Sequence, residues 1–440
     1  MDRISGLSDE LLVKILLFVP TKVAVSTSIL SKRWEYLWMW LPKLDYGRID
    51  CSESECEKLR CFLVRNLPLH RAPVIESFRL RVGCSCFKPE NIHMWVLTAV
   101  SHCLRELKIV YESDSAELDM LPSNLFTCKS LVILKLAGDI ILDVPRMVSL
   151  PSLKTLRLQK VMFFNGETLQ RLLSNCPILE DLMVDLHDYD DTGKLSIVVP
   201  SLQSLSLFIP YRHEIDGFMI ETPSLKYFKL RDDSWHDHYS LIGNMPFLVE
   251  AYVDVDLPVI NSVIRSITSV KRLAICSQDM LDEGFVFNQL EHLEVCLCTL
   301  LFSNQLVRLL NASSKLKRLD ISLTDVSLFV NSLFLLSDAQ LVSLKFLCLI
   351  YQGHVPRDMD DWNQPSTVPE CLLSSLQSLN WLEYTGEPQE RDIVVYILKH
   401  ALHLKTATIT LTESDFTELD MIKELARSSR ASTTCELMFD

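Results

Sequence analysis

The chain has 440 residues, 48% of them hydrophobic, and a formal net charge of −14. That length exceeds one ordinary core and calls for several domains or a repeat array. The acidic balance argues against non-specific nucleic-acid binding, which needs clustered Lys and Arg to displace counterions. The start, Met1-Asp2-Arg3-Ile4, shows no signal-peptide pattern, and the 14 cysteines are expected as thiols in a reducing cytoplasmic or nuclear setting.

Residues 1 to about 45 predict three short helices. Ser8 is placed to cap the first, with Asp9 and Glu10 in its first turn and Leu11, Leu12, Ile15, Leu16 and Val19 at helical spacing. Pro20 cannot continue that helix, and Thr21 is placed to cap a second over residues 23–30. A third begins near Ser31 and carries Trp34, Leu37, Trp38 and Trp40. So short a segment has little core of its own. Its apolar surface is either covered by a partner or caps the rest of the chain, and the pattern alone leaves both readings open.

A repeat dominates the remaining residues. Leu-x-x-Leu-x-Leu, with apolar substitutes, starts at Leu104, Leu131, Leu153, Leu179, Leu202, Leu225, Leu248, Val270, Leu290, Leu316, Leu344, Leu376 and Leu404, with a fainter copy at Ile75-Phe78-Leu80. Successive starts from Leu202 to Val270 lie 23, 23 and 22 residues apart, and the last steps lengthen to 28 and 32. Period and string resemble leucine-rich repeats. Two apolar residues separated by one, such as Leu156 and Leu158, share one face of a short strand. A single repeat cannot bury that face, so stacked neighbours close a common core and align their strands in parallel. Residues 168–173 read as a helical return, and Pro151, Pro200 and Pro223 stop such returns before a strand.

The residues flanking the inward pair point to the concave side. They include Thr155, Arg157 and Gln159, then Asp181, Met183 and Asp185. Tyr227, Lys229 and Arg231 follow, then Tyr252 with Asp254, and Arg318 with Asp320. This surface reads as mixed in charge rather than as a basic stripe. Arg157, Asp181, Tyr227, Lys229, Arg231, Tyr252, Asp254, Arg318 and Asp320 are the substrate-binding candidates, Tyr and Arg being frequent anchors. Trp235-His236-Asp237-His238 lacks further ligands for a metal, and Cys84 with Cys86 and Cys296 with Cys298 lack zinc spacing. The acidic turns Asp188-Tyr189-Asp190-Asp191 and Glu413-Ser414-Asp415 read as solvated loops. No catalytic residue, metal or cofactor is assigned.

Residues 2–12, Asp-Arg-Ile-Ser-Gly-Leu-Ser-Asp-Glu-Leu-Leu, resemble the opening of a plant F-box. Phe18-Val19-Pro20-Thr21-Lys22-Val23-Ala24-Val25, Ser28-Ile29-Leu30-Ser31-Lys32-Arg33-Trp34 and Leu37-Trp38 continue the likeness. Ser8 stands where that family usually has proline. Residues 368–376, 397–401 and 432–440 resemble the FBD domain, with Leu402 where proline is usual. The resemblance, to plant F-box/FBD/leucine-rich-repeat proteins, implies an α/β chain in three parts. These are a three-helix F-box over 1–45, a solenoid with parallel strands on its concave face over 75–360, and an FBD segment continuing it over 361–440.

The same resemblance implies a non-catalytic substrate-recognition subunit of an SCF (Skp–cullin–F-box) ubiquitin ligase. Leu7, Ser8, Leu11, Leu12, Ile15, Leu16, Val19, Pro20, Leu30, Trp34, Leu37 and Trp38 would bind the Skp adaptor, and through it a cullin. The repeats would hold a protein substrate, with neither nucleic acid nor membrane as partner, and proximity would supply the rate. The alternative is a protein-interaction scaffold outside any ligase, with a degenerate F-box. A small-molecule co-ligand is unmarked in the sequence.

Overall fold

The computed structural model describes residues 4–47, 52–83, 87–112, 119–188, 191–234, 237–256, 258–277, 281–297, 302–322, 359–411 and 418–440. Cys84, Cys86, Tyr189, Asp190, Trp235, His236, Cys298, the Leu344 copy and residues 413–415 lie outside them. The chain divides into two compact units, Met1–Thr222 with Ser234–His238 and Pro223–Asp233 with Tyr239–Asp440.

In the first unit the apolar string builds the expected ladder. Strands Lys43–Gly47, Ser77–Val82, Glu106–Tyr111, Ile133–Gly138, Thr155–Phe163, Asp181–Leu186 and Ser204–Ile209 pair in parallel in that order. Leu44, Phe78, Leu107, Leu134, Leu156, Leu182 and Leu205 stack in register, none more than 1% exposed. Burying each is worth about 1.5–3 kcal/mol, which repays fixing one short strand per repeat. The residue before a repeat's first Leu ties rungs together: Ser130 Oγ donates to the Leu104 carbonyl at 2.9 Å and Ser201 Oγ to that of Leu179 at 2.8 Å. Ser201, directly after Pro200, thus adds a rung-to-rung bond at the strand entry that the proline sets. Gly47 and Gly138 close their strands at φ +86° and +90°, where a Cβ would lie 1.9 and 2.0 Å from the Arg81 and Tyr111 carbonyl oxygens.

The ladder starts earlier than residue 75. Leu41, Leu44 and Tyr46 form its first rung inside the N-terminal helical segment, with Tyr in the last apolar place. Helices Asp9–Leu16 and Thr21–Ser26 precede it, followed by 3₁₀ turns Thr27–Ile29 and Trp34–Trp40. Thr21 is not the cap of the second helix; Pro20 occupies that position, and the buried Thr21 hydroxyl accepts the Asp45 N–H at 3.0 Å. Cys56 is disulfide-bonded, which corrects the expectation of thiols throughout.

In the second unit strands Tyr227–Asp232, Glu250–Asp254, Arg272–Cys276, His292–Cys296, Arg318–Ser322, Ser378–Tyr384, Thr406–Leu411 and Glu436–Phe439 pair in parallel in that order. The Leu316 rung pairs directly with the Leu376 rung, and Ser375 Oγ donates to the Leu316 carbonyl at 2.8 Å. On the return side Asp360 closes the gap, accepting Ser303 N–H at 2.9 Å and Asn304 Nδ2 at 2.6 Å at the start of helix Phe302–Asn311. The last three strands, with helices Pro388–His400 and Glu418–Arg427, continue the same sheet.

Candidate functional site

Helix Asp9–Leu16 has two apolar faces. Leu12 and Leu16 are buried with Trp34, Leu37 and Trp38 in the segment's own small core. Leu11, Ile15, Val19, Pro20 and Leu30 are exposed, and Leu7 is half-buried. Of the predicted adaptor contacts, the five buried ones therefore support a face that the others form. Phe18 and Ile29, 89% and 88% exposed, belong to that face with Val23, and the sequence reading missed them. A clamp holds it together: Arg33 Nε donates to Asp9 Oδ1 at 2.7 Å, and the same guanidinium donates to the Leu7 carbonyl.

Ser8 has the extended cap backbone, φ −67° and ψ 155°, but its hydroxyl makes no capping bond. That φ is the one proline imposes. Ser8→Pro is therefore expected to raise stability by about 0.4–1 kcal/mol through the unfolded chain. A urea midpoint unchanged or lowered would refute this.

On the concave side of the second unit the outward positions form registered rows. Tyr227, Glu250, Arg272, His292 and Arg318 face one another in one row, and Lys229, Tyr252, Ala274, Glu294 and Asp320 in the next. Tyr227, Tyr252, Arg272, His292 and Glu294 line a pocket of about 260 Å³ there. Lys229 Nζ sits 5.0 Å from the Tyr252 ring centroid. Arg231 and Asp254 are buried instead of presented: Arg231 Nε lies 2.9 Å from Asp233 and 3.4 Å from Asp254. Burial disfavours the Arg231 charge, but the two carboxylates outweigh it and its pKa rises. Asp320 is likewise buried, accepting from His292 Nε2 at 2.7 Å, Arg318 Nε at 2.9 Å and Asn380 Nδ2 at 2.8 Å. Burial opposes its ionisation; the His292 and Arg318 hydrogen bonds win, and its pKa is lowered. These three candidates shape the surface from beneath. Glu250, Arg272, His292 and Glu294 were missed, though each sits two or four places after a repeat's first apolar residue.

In the first unit Arg157 and Asp181 are half-buried and pair at 3.0 Å. The outward surface here is mixed in charge, as the pattern implies, but its cations are grouped. Arg79, Lys108, Lys135 and Arg157 occupy one row across four adjacent strands. Elsewhere, His238 packs 5.6 Å from Phe218, and Cys296 is a half-buried thiol. Among the described residues no three His, Cys, Asp or Glu side chains are grouped to hold a metal, and no helix is long and apolar enough to cross a membrane.

Comparison with known proteins agrees with this anatomy. The F-box domain matches residues 4–46, the LRR repeats of FBD-associated F-box protein At5g56370 match 92–242, and FBD matches 364–409. Over 439 residues the chain is 56% identical to FBD-associated F-box protein At4g10400 of Arabidopsis thaliana, covering 100% of both. The chain belongs to the FBD-associated F-box proteins with leucine-rich repeats. Two more F-box proteins from the same plant are similar to it. FBD-associated F-box protein At5g38590 is 50% identical over 433 residues, 97% of this chain and 98% of its own. F-box protein At4g09920 is 58% identical over 300 residues, 68% of this chain and 95% of its own. In this F-box/FBD protein the exposed helical face falls within the F-box match; Lys108, Lys135, Arg157, Tyr227 and Lys229 of the rows fall within the repeat match, and the rows from Glu250 to Asp320 lie between the repeat and FBD matches.

Proposed function

We propose that the chain is the substrate-recognition subunit of an SCF-type ubiquitin ligase. Its F-box docks on a Skp adaptor and its concave strands hold a protein in the cytoplasm or nucleus. The observation that carries this is the unburied apolar face formed by Leu11, Ile15, Phe18, Val23, Ile29 and Leu30 within the F-box. Contiguous exposed apolar side chains on a soluble chain mark an interaction site. The subunit itself performs no chemistry; holding a lysine near a charged conjugating enzyme converts a bimolecular encounter into a local one.

The scaffold alternative supposes a degenerate F-box, with Ser8 as its main ground. Ser8 keeps the proline-type backbone and the Arg33 clamp is intact, which favours the ligase reading. Purified full-length chain and Skp adaptor are expected to co-elute as a complex and, with a cullin, to support ubiquitin transfer. Separate elution of the wild-type chain and the adaptor would overturn the proposal and leave the scaffold.

A further inference from the structure

Strand Glu436–Phe439 has one neighbour. It pairs in parallel with Thr406–Leu411, and among the described residues no strand pairs with its other edge. Glu436 N–H donates to the Lys405 carbonyl at 2.9 Å, and Asp440 N–H to that of Ile409 at 3.1 Å. Backbone groups alternate along a strand, so the N–H and C=O of Leu437 and Phe439 lie on the open side. The outer strand of the first unit differs: on Lys43–Gly47 the Asp45 N–H is taken by the Thr21 hydroxyl at 3.0 Å.

The apolar stack is as incomplete there as the backbone ladder. Leu437 and Phe439 stand in register with Ala407 and Ile409, in the inward places of a rung. Ala407 and Ile409 are fully buried, as are Leu379 and Trp381 beside them. Leu437 and Phe439 are only half-buried. Repeats close their core by stacking, so this rung takes one more strand bearing two apolar residues separated by one.

Charge selects the rest of that strand. Glu436 and Asp440 flank the apolar pair and are exposed, and neither has an ion-pair partner among the described residues. Lys405 and Arg430, on adjoining segments, are engaged elsewhere: Lys405 Nζ donates to Gln377 Oε1 at 2.9 Å and Arg430 to the Cys435 carbonyl at 3.2 Å. Opposite charges directly across two strands attract, and like charges repel. A second copy pairing antiparallel through the same edge would set Glu436 against Asp440 twice. A strand with Lys or Arg at both of these places meets each carboxylate with a cation. The pattern cation–apolar–any–apolar–cation reads the same in both directions, so it fits the edge in either polarity.

We propose that the open edge of Glu436–Phe439 binds an extended segment of a partner protein with this basic-flanked apolar pattern, adding it to the sheet as a further strand. Main-chain bonds to Leu437 and Phe439 hold the segment, its apolar pair covers theirs, and Glu436 and Asp440 select its flanks. The site uses neither the F-box face nor the registered rows described above, and it stands whether or not the chain serves a ligase.

The test uses the full-length chain and the labelled peptide Gly-Lys-Leu-Thr-Leu-Lys-Gly, followed by fluorescence anisotropy. Two controls accompany it: one with both lysines replaced by Glu, and one N-methylated along its backbone, which can donate no ladder bond. The lysine peptide is expected to bind about tenfold tighter than either control. In Glu436→Lys/Asp440→Lys the order of the lysine and glutamate peptides should reverse. Both positions are exposed, so the double variant should melt at the wild-type temperature. Failure of the lysine peptide to bind, equal binding of the N-methylated form, or no reversal in the double variant overturns the proposal. So does a wild-type dimer, seen by sedimentation, that Leu437→Pro dissolves, since that proline removes an N–H from the open edge.

Discussion

Replacing Phe18 by Asp is expected to weaken adaptor binding about thirtyfold or more. Phe18 lies just past the end of the first helix and is almost fully exposed, so it contributes little to this chain's own core. In a complex it would be the largest apolar side chain of the docking face to leave water. Truncating a central anchor costs about 2 kcal/mol or more, and each 1.4 kcal/mol is tenfold in affinity. A carboxylate in its place adds an unpaired charge to a closing interface. The melting temperature should stay at the wild-type value, which separates lost docking from lost folding. Leu16→Asp makes the contrast, since it puts the charge in the buried core and should unfold the segment. Calorimetric titration of adaptor into Phe18→Asp giving an affinity within twofold of wild type would exclude Phe18 from the interface.

The second large effect is on stability. Glu390, near the start of helix Pro388–His400, is buried and reaches back to the loop after strand Ser378–Tyr384. One carboxylate oxygen accepts Thr385 N–H at 2.8 Å, Thr385 Oγ at 2.9 Å and Gly386 N–H at 3.0 Å. Gly386 has φ +82°, so the loop adopts a tight left-handed turn that this carboxylate pins. Glu390→Ala leaves two backbone donors without that acceptor and should cost about 3 kcal/mol. The urea midpoint should drop with the slope unchanged; an unaltered midpoint would show the loop held by other means. Burial pushes the Glu390 pKa up, the three hydrogen bonds pull it down, and the net is upward. A folded pKa above the unfolded one means the contribution is fullest below the unfolded value and declines as pH rises through the folded one. Glu390→Gln should remove that decline, visible as a flatter stability profile from pH 4 upward.

Much of this was legible because the leucine period is a direct record of strand stacking. The inward positions could be named from the string alone, and the outward ones by elimination. The basic row was equally present, at the fourth residue after Ile75, Leu104, Leu131 and Leu153. It escaped notice because its members are far apart along the chain, and only register brings them together. Pairing between distant repeats is a tertiary choice too: the sheet joins Leu319 to Leu379 directly. In the F-box both faces of the first helix are apolar, so periodicity could not say whether Leu12 and Leu16 or Leu11 and Ile15 were covered. Cys56 could not be read either, since a disulfide depends on which thiols the fold brings close.

The first rung has one more consequence. Leu41, Leu44 and Tyr46 belong at once to the F-box match and to the rung that opens the parallel sheet, and the Thr21–Asp45 hydrogen bond joins the second helix to that rung. In the proposed ligase no slack tether would separate the gripped adaptor from the strands carrying Arg79 to Arg157. A flexible linker would spread the captured lysine over a wide volume and dilute its effective concentration at the conjugating enzyme. In that ligase the reach would be set by counting rungs, each adding about 4.8 Å between the adaptor and a protein held on the strands.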